Sequence, residues 1–294
     1  MTDFSPPDEF VDGHQVARRF SRIAASYPQG DFFAREVDRR MQERLDYVRL
    51  SPQRIVDLGC SRGASLAGLQ ARFPDARLFG LDVSADMLRP VAVERPAWQR
   101  WLGLGKAEGP RIQGRVEQLP LASGSVGLFW SNLLLHWLDH PLPALREAQR
   151  CLEVGGLLMF STLGPDTLRE LRSAFADGYA HTQRFTDMHD LGDMLVECGF
   201  ADPVMDMEVI TLTYDSVDAL FAELRAAGSG CAMKARRHGL TGRRRLAEVR
   251  AAYETLRCDG RLPASFEVIY GHAWKTAPRQ TADGRAIIRF ERRP

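Results

Sequence analysis

The stretch VDLGCSRGAS at residues 56–65 sets a carboxylate, a thiol and a hydroxyl around two glycines, directly after an apolar run. Three chemistries use residues of these types at this spacing. Gly59, Ser61 and Gly63 fit the G-x-S-x-G turn that presents a nucleophilic serine in hydrolases. The same turn can bring backbone amides close to a dinucleotide pyrophosphate. The third chemistry is that of a loop passing under S-adenosylmethionine (SAM) in a methyltransferase.

The hydrolase interpretation lacks its expected surroundings. In that fold the nucleophile follows a strand in the middle of the sheet, and an oxyanion loop lies upstream. No convincing strand precedes residue 54, and no H-G-G-G-like segment is present. Histidines follow downstream, but no sequence feature ties one of them to Ser61. These observations disfavour a hydrolase.

The dinucleotide interpretation fails at the second glycine of G-x-G-x-x-G. Counting from Gly59, that position holds Ser61, and the third glycine position holds Ala64. Alanine is tolerated at the third position, whereas the second glycine lets the pyrophosphate approach the backbone. A side chain there suits a ligand without a pyrophosphate. SAM is such a ligand, because it consists of an adenosine, a sulfonium and an amino-acid tail.

The SAM interpretation makes further demands, which the chain meets. Asp57 can accept hydrogen bonds from the methionine ammonium, directly or through water. Gly59 and Gly63 let the loop pass close under the ligand. Asp82 ends the next apolar run, where one carboxylate can accept bonds from both ribose hydroxyls. Asn132, at the end of a later apolar run, is expected at the sulfonium end.

Apolar runs separated by helical patterns must position these residues. The runs are RIVDLGC (54–60), ARLFGLDVS (76–84), PRIQGRVEQLPL (110–121), VGLFWSNLLLHW (126–137), LLMFSTL (157–163), MEVITLTY (207–214) and SFEVIYGHAWK (265–275). Strands that are apolar on both faces and alternate with helices favour a parallel sheet covered on two sides. The predicted fold is therefore α/β, Rossmann-like as in class I methyltransferases, with about seven strands in a mostly parallel sheet.

The same pattern predicts the organisation of the chain. Residues 1–13 are expected to form a disordered leader, and residues 14–275 a single domain. Within that domain, residues 14–47 are predicted as an N-terminal cap of two helices. Residues 216–258 are predicted as a helical insert, and residues 276–294 as a C-terminal tail.

Composition restricts the class of protein. Hydrophobic residues make up 45% of the chain and charged residues 26%, as in soluble globular proteins. A net charge of +1 provides no general attraction to nucleic acid or anionic membranes. No apolar run approaches the ~20 residues that span a bilayer, and no secretory signal is visible. Five cysteines without a C-x-x-C pair argue against a zinc site or a disulfide framework. We therefore expect a cytoplasmic protein with no metal and no membrane partner.

Several longer stretches resemble one branch of the SAM-dependent methyltransferases. They are RRFSRIAASY near the N-terminus, SNLLLHW (131–137), FSTLGPDTLRELR (160–172), FTDMHDLGDMLVECGFADPVMDMEVITLTY (185–214) and GRLPASFEVIYGHAWK (260–275). From about residue 15 to 275 the chain is similar to the malonyl-(acyl-carrier protein) O-methyltransferases of biotin synthesis. The resemblance implies that SAM methylates the free carboxylate of a malonyl thioester, carried by acyl carrier protein or coenzyme A.

The same motifs also resemble a mitochondrial complex I assembly factor that hydroxylates an arginine, and His136 is a point of likeness to it. Ser61 replaces the usual glycine of G-C-G-x-G, and Arg115 stands where an acid often contacts adenine. Glu117 remains as the acid expected on the adenine side. Alternatives therefore stay open, in which the protein acts on a protein arginine or is an assembly factor without catalysis.

Methyl transfer to a carboxylate demands alignment rather than a general base, because carboxylic acids titrate near 4 and are ionised at pH 7. A cation that holds the malonyl carboxylate is expected, and arginine suits this role through bidentate pairing. Arg169 and Arg172, three residues apart in DTLRELR, are the candidates, against a solvated helix face as the alternative. Tyr27 is a candidate to close over the sulfonium or to donate to the carboxylate, against simple packing.

The segment KARRHGLTGRRR (234–245) carries six Lys or Arg residues in twelve. Such a segment can attract an acidic acyl carrier protein or the phosphates of coenzyme A. It can also contact RNA, although no aromatic residues alternate with its charges, and simple solvation is a further alternative. We expect a thioester carrier as the partner and disfavour nucleic acid, with an RNA methyltransferase kept as an alternative.

Overall fold

Seven strands form one sheet in the part of the chain that the structure describes. The computed structural model describes residues 10–89, 109–175 and 177–277. The strands are β1 Arg54–Leu58, β2 Arg77–Asp82, β3 Arg111–Gln113, β4 Val126–Ser131, β5 Leu152–Leu163, β6 Ala201–Tyr214 and β7 Leu262–Trp274. Their order in the sheet is β3-β2-β1-β4-β5-β7-β6. Neighbours from β3 to β5 run parallel, whereas β7 runs antiparallel to β5 and β6. The prediction of a mostly parallel α/β sheet is confirmed.

Helices connect the strands and precede the first one. Those of the described residues are α1 Gly13–Ile23, α2 Tyr27–Gly30, α3 Phe32–Arg44, α4 Ala64–Arg72, α5 Ala85–Leu88, α6 Pro141–Cys151, α7 Arg169–Phe175, α8 Met188–Glu197, α9 Val217–Ala226 and α10 Arg243–Glu254. Short 3-10 turns occupy Leu45–Tyr47 and Leu135–Trp137.

Both faces of the sheet are covered. Ile55 of β1 and Leu128 of β4 join the core cluster that contains side chains of α3 and α4. Their neighbours Val56 and Phe129 join the cluster that contains side chains of α6 and α8. Successive strand residues point to opposite faces, and all four of these side chains are buried. The central strands are therefore apolar at consecutive positions.

The N-terminal cap contains three helices rather than the predicted two. Ser26 and Pro28 start the short helix α2, since proline fits the first turn of a helix, and Asp31 separates α2 from α3. Val37 and Met41 of α3 are fully buried and pack against the sheet. Helix α3 is thus a layer of the core as well as a cap.

Two predicted strands are shorter than expected. The strand predicted within 110–121 is limited to β3, because the chain turns where the Gln118 amide donates to the Arg115 carbonyl. The strand predicted to reach residue 137 ends with β4. Leu133 adopts a φ of +54°, which turns the chain out of the extended conformation.

Other bounds also differ from the prediction. Leu152 is buried and pairs with Val126, so β5 begins there rather than at residue 157, and Gly155 and Gly156 lie inside the strand. Strands β6 and β7 likewise begin earlier than predicted. Of the helix predicted after β2, the described part is α5, and residues 90–94 lie outside the described residues.

The predicted insert at 216–258 contains helices α9 and α10. Their buried side chains pack with α7 and the ends of β6 and β7 in a third core cluster. Helix α9 also touches the cap, because a Cβ atom on Gly30 would lie 2.4 Å from the carbonyl carbon of Ala226. Only glycine permits this approach.

The chain ends are described in part. Of the predicted leader, residues 10–13 are described, and Val11 pairs with Met233. Residues 1–9 and 278–294 lie outside the described residues, so the division into leader, domain and tail stays a prediction. The helices of the described residues include none with the length and apolarity that a bilayer crossing requires.

Candidate active site

A cavity of about 380 Å³ opens at the carboxyl ends of β1, β2 and β4, beneath the N-terminal helices. The strand order reverses between β1 and β4, and open α/β sheets bind ligands at such switch points. The predicted site residues among its lining are Tyr27, Asp57, Gly59, Asp82, Glu117 and Asn132. Gly63, Arg169 and Arg172 are not among the lining residues.

The loop after β1 is built from left-handed residues. Gly59, Ser61 and Gly63 have φ values of +71°, +47° and +81°. A Cβ atom on Gly59 would lie 2.9 Å from Leu134 Cδ1, so this turn requires glycine. Gly63 instead takes the position before helix α4 and lets the loop turn into that helix.

Asp57 is a buried carboxylate in the cavity. Among the described residues, nothing hydrogen-bonds its Oδ2 atom. Burial raises the pKa of Asp57 well above its ordinary value, and repulsion from Asp38 and Asp82 adds to the rise while Arg111 opposes it. A buried carboxylate oxygen without a donor is costly. It suits a ligand that brings its own cationic donor, such as the ammonium of an amino acid.

Asp82 joins the loops that follow β1 and β2. Its Oδ1 accepts from the Ser84 amide at 2.8 Å, and its Oδ2 accepts from the Ser61 amide at 3.0 Å. Burial raises the pKa of Asp82, and these bonds oppose the rise. A carboxylate has about four acceptor sites, so each oxygen can still accept from one of two neighbouring hydroxyls.

Arg115 and Glu117 form an ion pair in the turn after β3. Arg115 Nη2 lies 2.7 Å from Glu117 Oε1. The apolar side chain of Val116 between them is buried and also lines the cavity. The positive charge that departs from the family pattern is thus neutralised by the acid that remains.

Asn132 connects the cap to the sheet. Its Nδ2 donates to the Ala34 carbonyl of α3 at 2.8 Å, and its Oδ1 accepts from the Ser161 hydroxyl of β5 at 2.7 Å. One amide hydrogen and one oxygen lone pair remain for a ligand. The side chain therefore fixes the position of α3 over the end of β4.

Asp38 is a cavity residue that sequence reasoning missed. It is buried, and it accepts from Trp130 Nε1 at 2.9 Å and from Gln42 Nε2 at 2.6 Å. Burial raises its pKa. Its position beside Val37 and one turn before Met41, on the apolar face of a predicted helix, is the sequence signal that could have indicated burial.

Two further groups that line the cavity, Tyr27 and His136, are uncharged at neutral pH. Burial raises the pKa of Tyr27 to about 12, and the neighbouring Ser61 side chain opposes part of this rise. Burial lowers the pKa of His136 to about 3, and its Nδ1 lies 3.3 Å from Thr162 Oγ1. His136 lines the cavity, but a neutral imidazole cannot neutralise a carboxylate.

The structure does not bring Arg169 and Arg172 to the cavity. Arg169 is exposed and lies 3.8 Å from Asp166 and 3.7 Å from Glu170. Arg172 donates to the carbonyls of Pro165 and Thr167. Helix α7 packs its apolar face into the third core cluster, and neither arginine is among the residues that line the cavity.

Three other arginines of the described residues line the cavity, namely Arg35, Arg62 and Arg115. Arg35 follows Ala34 on α3, and its Nε lies 2.9 Å from Asp31 Oδ1. Arg62 is turned toward α5, since its Nη1 donates to the Asp86 carbonyl at 3.1 Å.

Comparisons with solved structures identify the fold. The YcgJ protein of Bacillus subtilis superposes with a TM-score of 0.56 at 14% identity, over 83% of this chain and 99% of that chain. A Bacillus halodurans protein assigned as a methyltransferase also gives 0.56, at 17% identity over 81% and 99% of the two chains. The chain has the fold of class I methyltransferases.

Comparisons of sequence identify the family. A model of the methyltransferase domain matches residues 56–160. The malonyl-(acyl-carrier protein) O-methyltransferase of Laribacter hongkongensis is 47% identical over 96% of each chain. The enzyme of that name from Nitrosospira multiformis is 45% identical over 92% of each chain. The chain therefore belongs to the malonyl-(acyl-carrier protein) O-methyltransferase family.

Proposed function

We propose that this protein uses SAM to methylate the free carboxylate of a malonyl group carried as a thioester by acyl carrier protein, early in biotin synthesis. The observation that carries the proposal is one continuous cavity, in which Asp57 and Asp82 share a lining with Asn132, His136 and Tyr27. The family to which the chain belongs supports the malonyl acceptor. It disfavours a protein arginine, RNA or a purely structural role.

The residues of the cavity fit SAM. The Asp57 oxygen without a donor suits the methionine ammonium, and the Asp82 carboxylate suits the two ribose hydroxyls. Glu117 is assigned to the adenine side, and the loop of Gly59 and Gly63 passes under the ligand. Asn132 positions the cap near the sulfonium. When bound, SAM supplies an electrophilic methyl group on its sulfonium.

We assign Arg35 to the malonyl carboxylate instead of Arg169 or Arg172. Arg35 lines the cavity, and Asn132 hydrogen-bonds the residue before it, which places this part of α3 over the end of β4. Tyr27 supplies a neutral hydroxyl at the same end. No general base is needed, because the acceptor is ionised at pH 7. The work of these side chains is to align the carboxylate and exclude water.

A reducing, cytoplasmic location remains part of this proposal. The five cysteines are unpaired in the structure, which is usual for proteins of reducing compartments.

Methyl transfer tests the proposal directly. Purified protein is incubated with methyl-labelled SAM and either malonyl or acetyl acyl carrier protein, and each carrier is analysed by mass spectrometry. Label should appear on the malonyl thioester alone, because the acetyl group has no free carboxylate. Label on neither carrier, together with label on an added protein or RNA, would contradict the assignment.

A further inference from the structure

Residues 237–244 form an exposed stretch that leads into helix α10. Every residue of this stretch is exposed, and Leu240 retains 94% of its accessible surface. Arg237, Arg243 and Arg244 lie within four residues of this leucine. Tyr179 adjoins them, since the Arg237 guanidinium carbon lies 5.6 Å from the centre of its ring. We call five residues the basic patch: Tyr179, Arg237, Leu240, Arg243 and Arg244.

The positive charge of this patch is largely uncompensated. Arg236 lies 3.5 Å from Asp12, and Arg244 and Arg245 share Glu248 at 3.2 and 3.3 Å. Among the described residues, no carboxylate pairs with Arg237 or Arg243. The net charge of the chain is only +1, so this excess is local to the patch.

The patch adjoins one wall of the cavity. Gln183 lines the cavity, donates to the Gly230 carbonyl at 2.9 Å and accepts from the Ala232 amide at 3.2 Å. Tyr179 precedes the lining residue Thr182 by three positions, so at most about 11 Å of chain separates them. A partner seated on the patch therefore lies beside the cavity.

We propose that the basic patch is the docking surface for the acidic carrier protein that delivers the malonyl thioester. This inference rests on the proposed function and adds the place of contact. The arginines complement acidic side chains, and steering of this kind raises association rates. Leu240 supplies an apolar contact among the charges.

A protein suits this surface better than a nucleotide or RNA. Leu240 is almost fully exposed, so this stretch is not enclosed in a pocket. Small ligands such as coenzyme A are usually held in a concave site. Single-stranded nucleic acid binding relies on successive stacking platforms, and Tyr179 is the patch's one aromatic residue.

The test compares two charge-reversed double variants. The first is Arg237→Glu with Arg243→Glu in the patch. The control is Arg49→Glu with Arg77→Glu, which are also exposed and lie near the amino ends of β1 and β2, opposite the cavity. Each protein is assayed with malonyl acyl carrier protein, malonyl-pantetheine and malonyl-coenzyme A, at low and high salt.

We expect the patch variant to raise KM for malonyl acyl carrier protein about tenfold at low salt, with kcat unchanged and less dependence on salt. Its kinetics with malonyl-pantetheine should match those of the unaltered protein, which also shows that it is folded. The control should behave as the unaltered protein does. Leu240→Ala should raise KM for the carrier severalfold and leave malonyl-pantetheine unaffected.

Several results would overturn the inference. They are an unchanged KM for the carrier, an equal change in the control, or a change confined to malonyl-coenzyme A. Failure of the unaltered protein to methylate any of the three thioesters would instead overturn the proposed function, and with it the docking surface.

Discussion

Ser61 occupies a backbone conformation that usually falls to glycine. Its φ is +47°, and an L-residue in the left-handed region costs about 1 kcal/mol. Two hydrogen bonds hold it there, because its amide donates to Asp82 Oδ2 at 3.0 Å and its hydroxyl donates to the Gly59 carbonyl at 3.5 Å. The serine thereby links the loop after β1 to the end of β2.

Substitution at Ser61 separates strain from bonding. We expect Ser61→Ala to lower the free energy of unfolding by about 1 kcal/mol, because the strain stays and the hydrogen bond from the hydroxyl to the Gly59 carbonyl is lost. Ser61→Gly should lose less stability, since glycine adopts this φ freely. Urea unfolding of both variants measures the difference. A glycine variant less stable than the alanine variant would contradict the argument.

We expect Asp57 to destabilise the ligand-free protein and to contribute to SAM binding. Its pKa is raised in the folded protein. Its contribution to the free energy of unfolding therefore falls as the pH rises from the ordinary pKa of an aspartate through the raised pKa of Asp57. Asp57→Asn should therefore stabilise the ligand-free protein at pH 8 by more than about 1 kcal/mol, and by less at pH 5.

The same variant should weaken SAM binding at least tenfold, because a charged hydrogen bond is worth about 1.5–3 kcal/mol. Urea unfolding and titration calorimetry measure the two effects. Asp75→Asn is the control, since Asp75 is exposed before β2. A destabilised Asp57→Asn protein that still binds SAM normally would refute this role.

Arg35 and Arg169 provide a matched pair of truncations. Arg35→Ala should lower kcat/KM for the malonyl thioester about a hundredfold, as expected when a charged partner of the reacting group is removed. SAM affinity should be unchanged. Arg169→Ala should have little effect, because Arg169 is exposed and lies outside the cavity. Steady-state kinetics of both variants measure these losses. A larger loss of kcat/KM in Arg169→Ala than in Arg35→Ala would restore Arg169 as the carboxylate ligand.

At the scale of elements, helix α3 is structural as well as functional. Met41 is fully buried in the cluster under β1 and β4. Met41→Ala should cost about 2–5 kcal/mol of unfolding free energy, whereas Glu43→Ala on the exposed face should cost less than about 1 kcal/mol. Denaturant unfolding gives both values. Equal, small losses would mean that α3 only covers the cavity.

Strand ends were the predictable part of the site. Asp57 and Asp82 lie at or near the carboxyl ends of β1 and β2, and Gly59 follows β1. Parallel strands bring their carboxyl ends to one edge of the sheet. The same reasoning could not place Arg35 and Asp38 at the site. Helical periodicity predicts which face of a helix is buried, but it does not predict which strand that face covers. We predicted Arg169 and Arg172 as carboxylate ligands from their motif and their charge. The packing of α7 in the third core cluster leaves them outside the cavity lining, and the sequence does not show this packing.

At the scale of the whole molecule, the cap, the sheet and the insert meet around one cavity. The approach of Gly30 to Ala226 joins cap and insert, and Asn132 joins cap and sheet. In our proposal, this cavity holds SAM and the malonyl carboxylate side by side.

A crystal structure with S-adenosylhomocysteine and malonyl-pantetheine would reveal whether the two ligands bind in this way. It should show the homocysteine ammonium on Asp57, the ribose hydroxyls on Asp82, and the malonyl carboxylate facing Arg35 and Tyr27. A malonyl carboxylate bound at Arg169 or Arg172, or a cofactor product bound away from Asp57 and Asp82, would contradict the account.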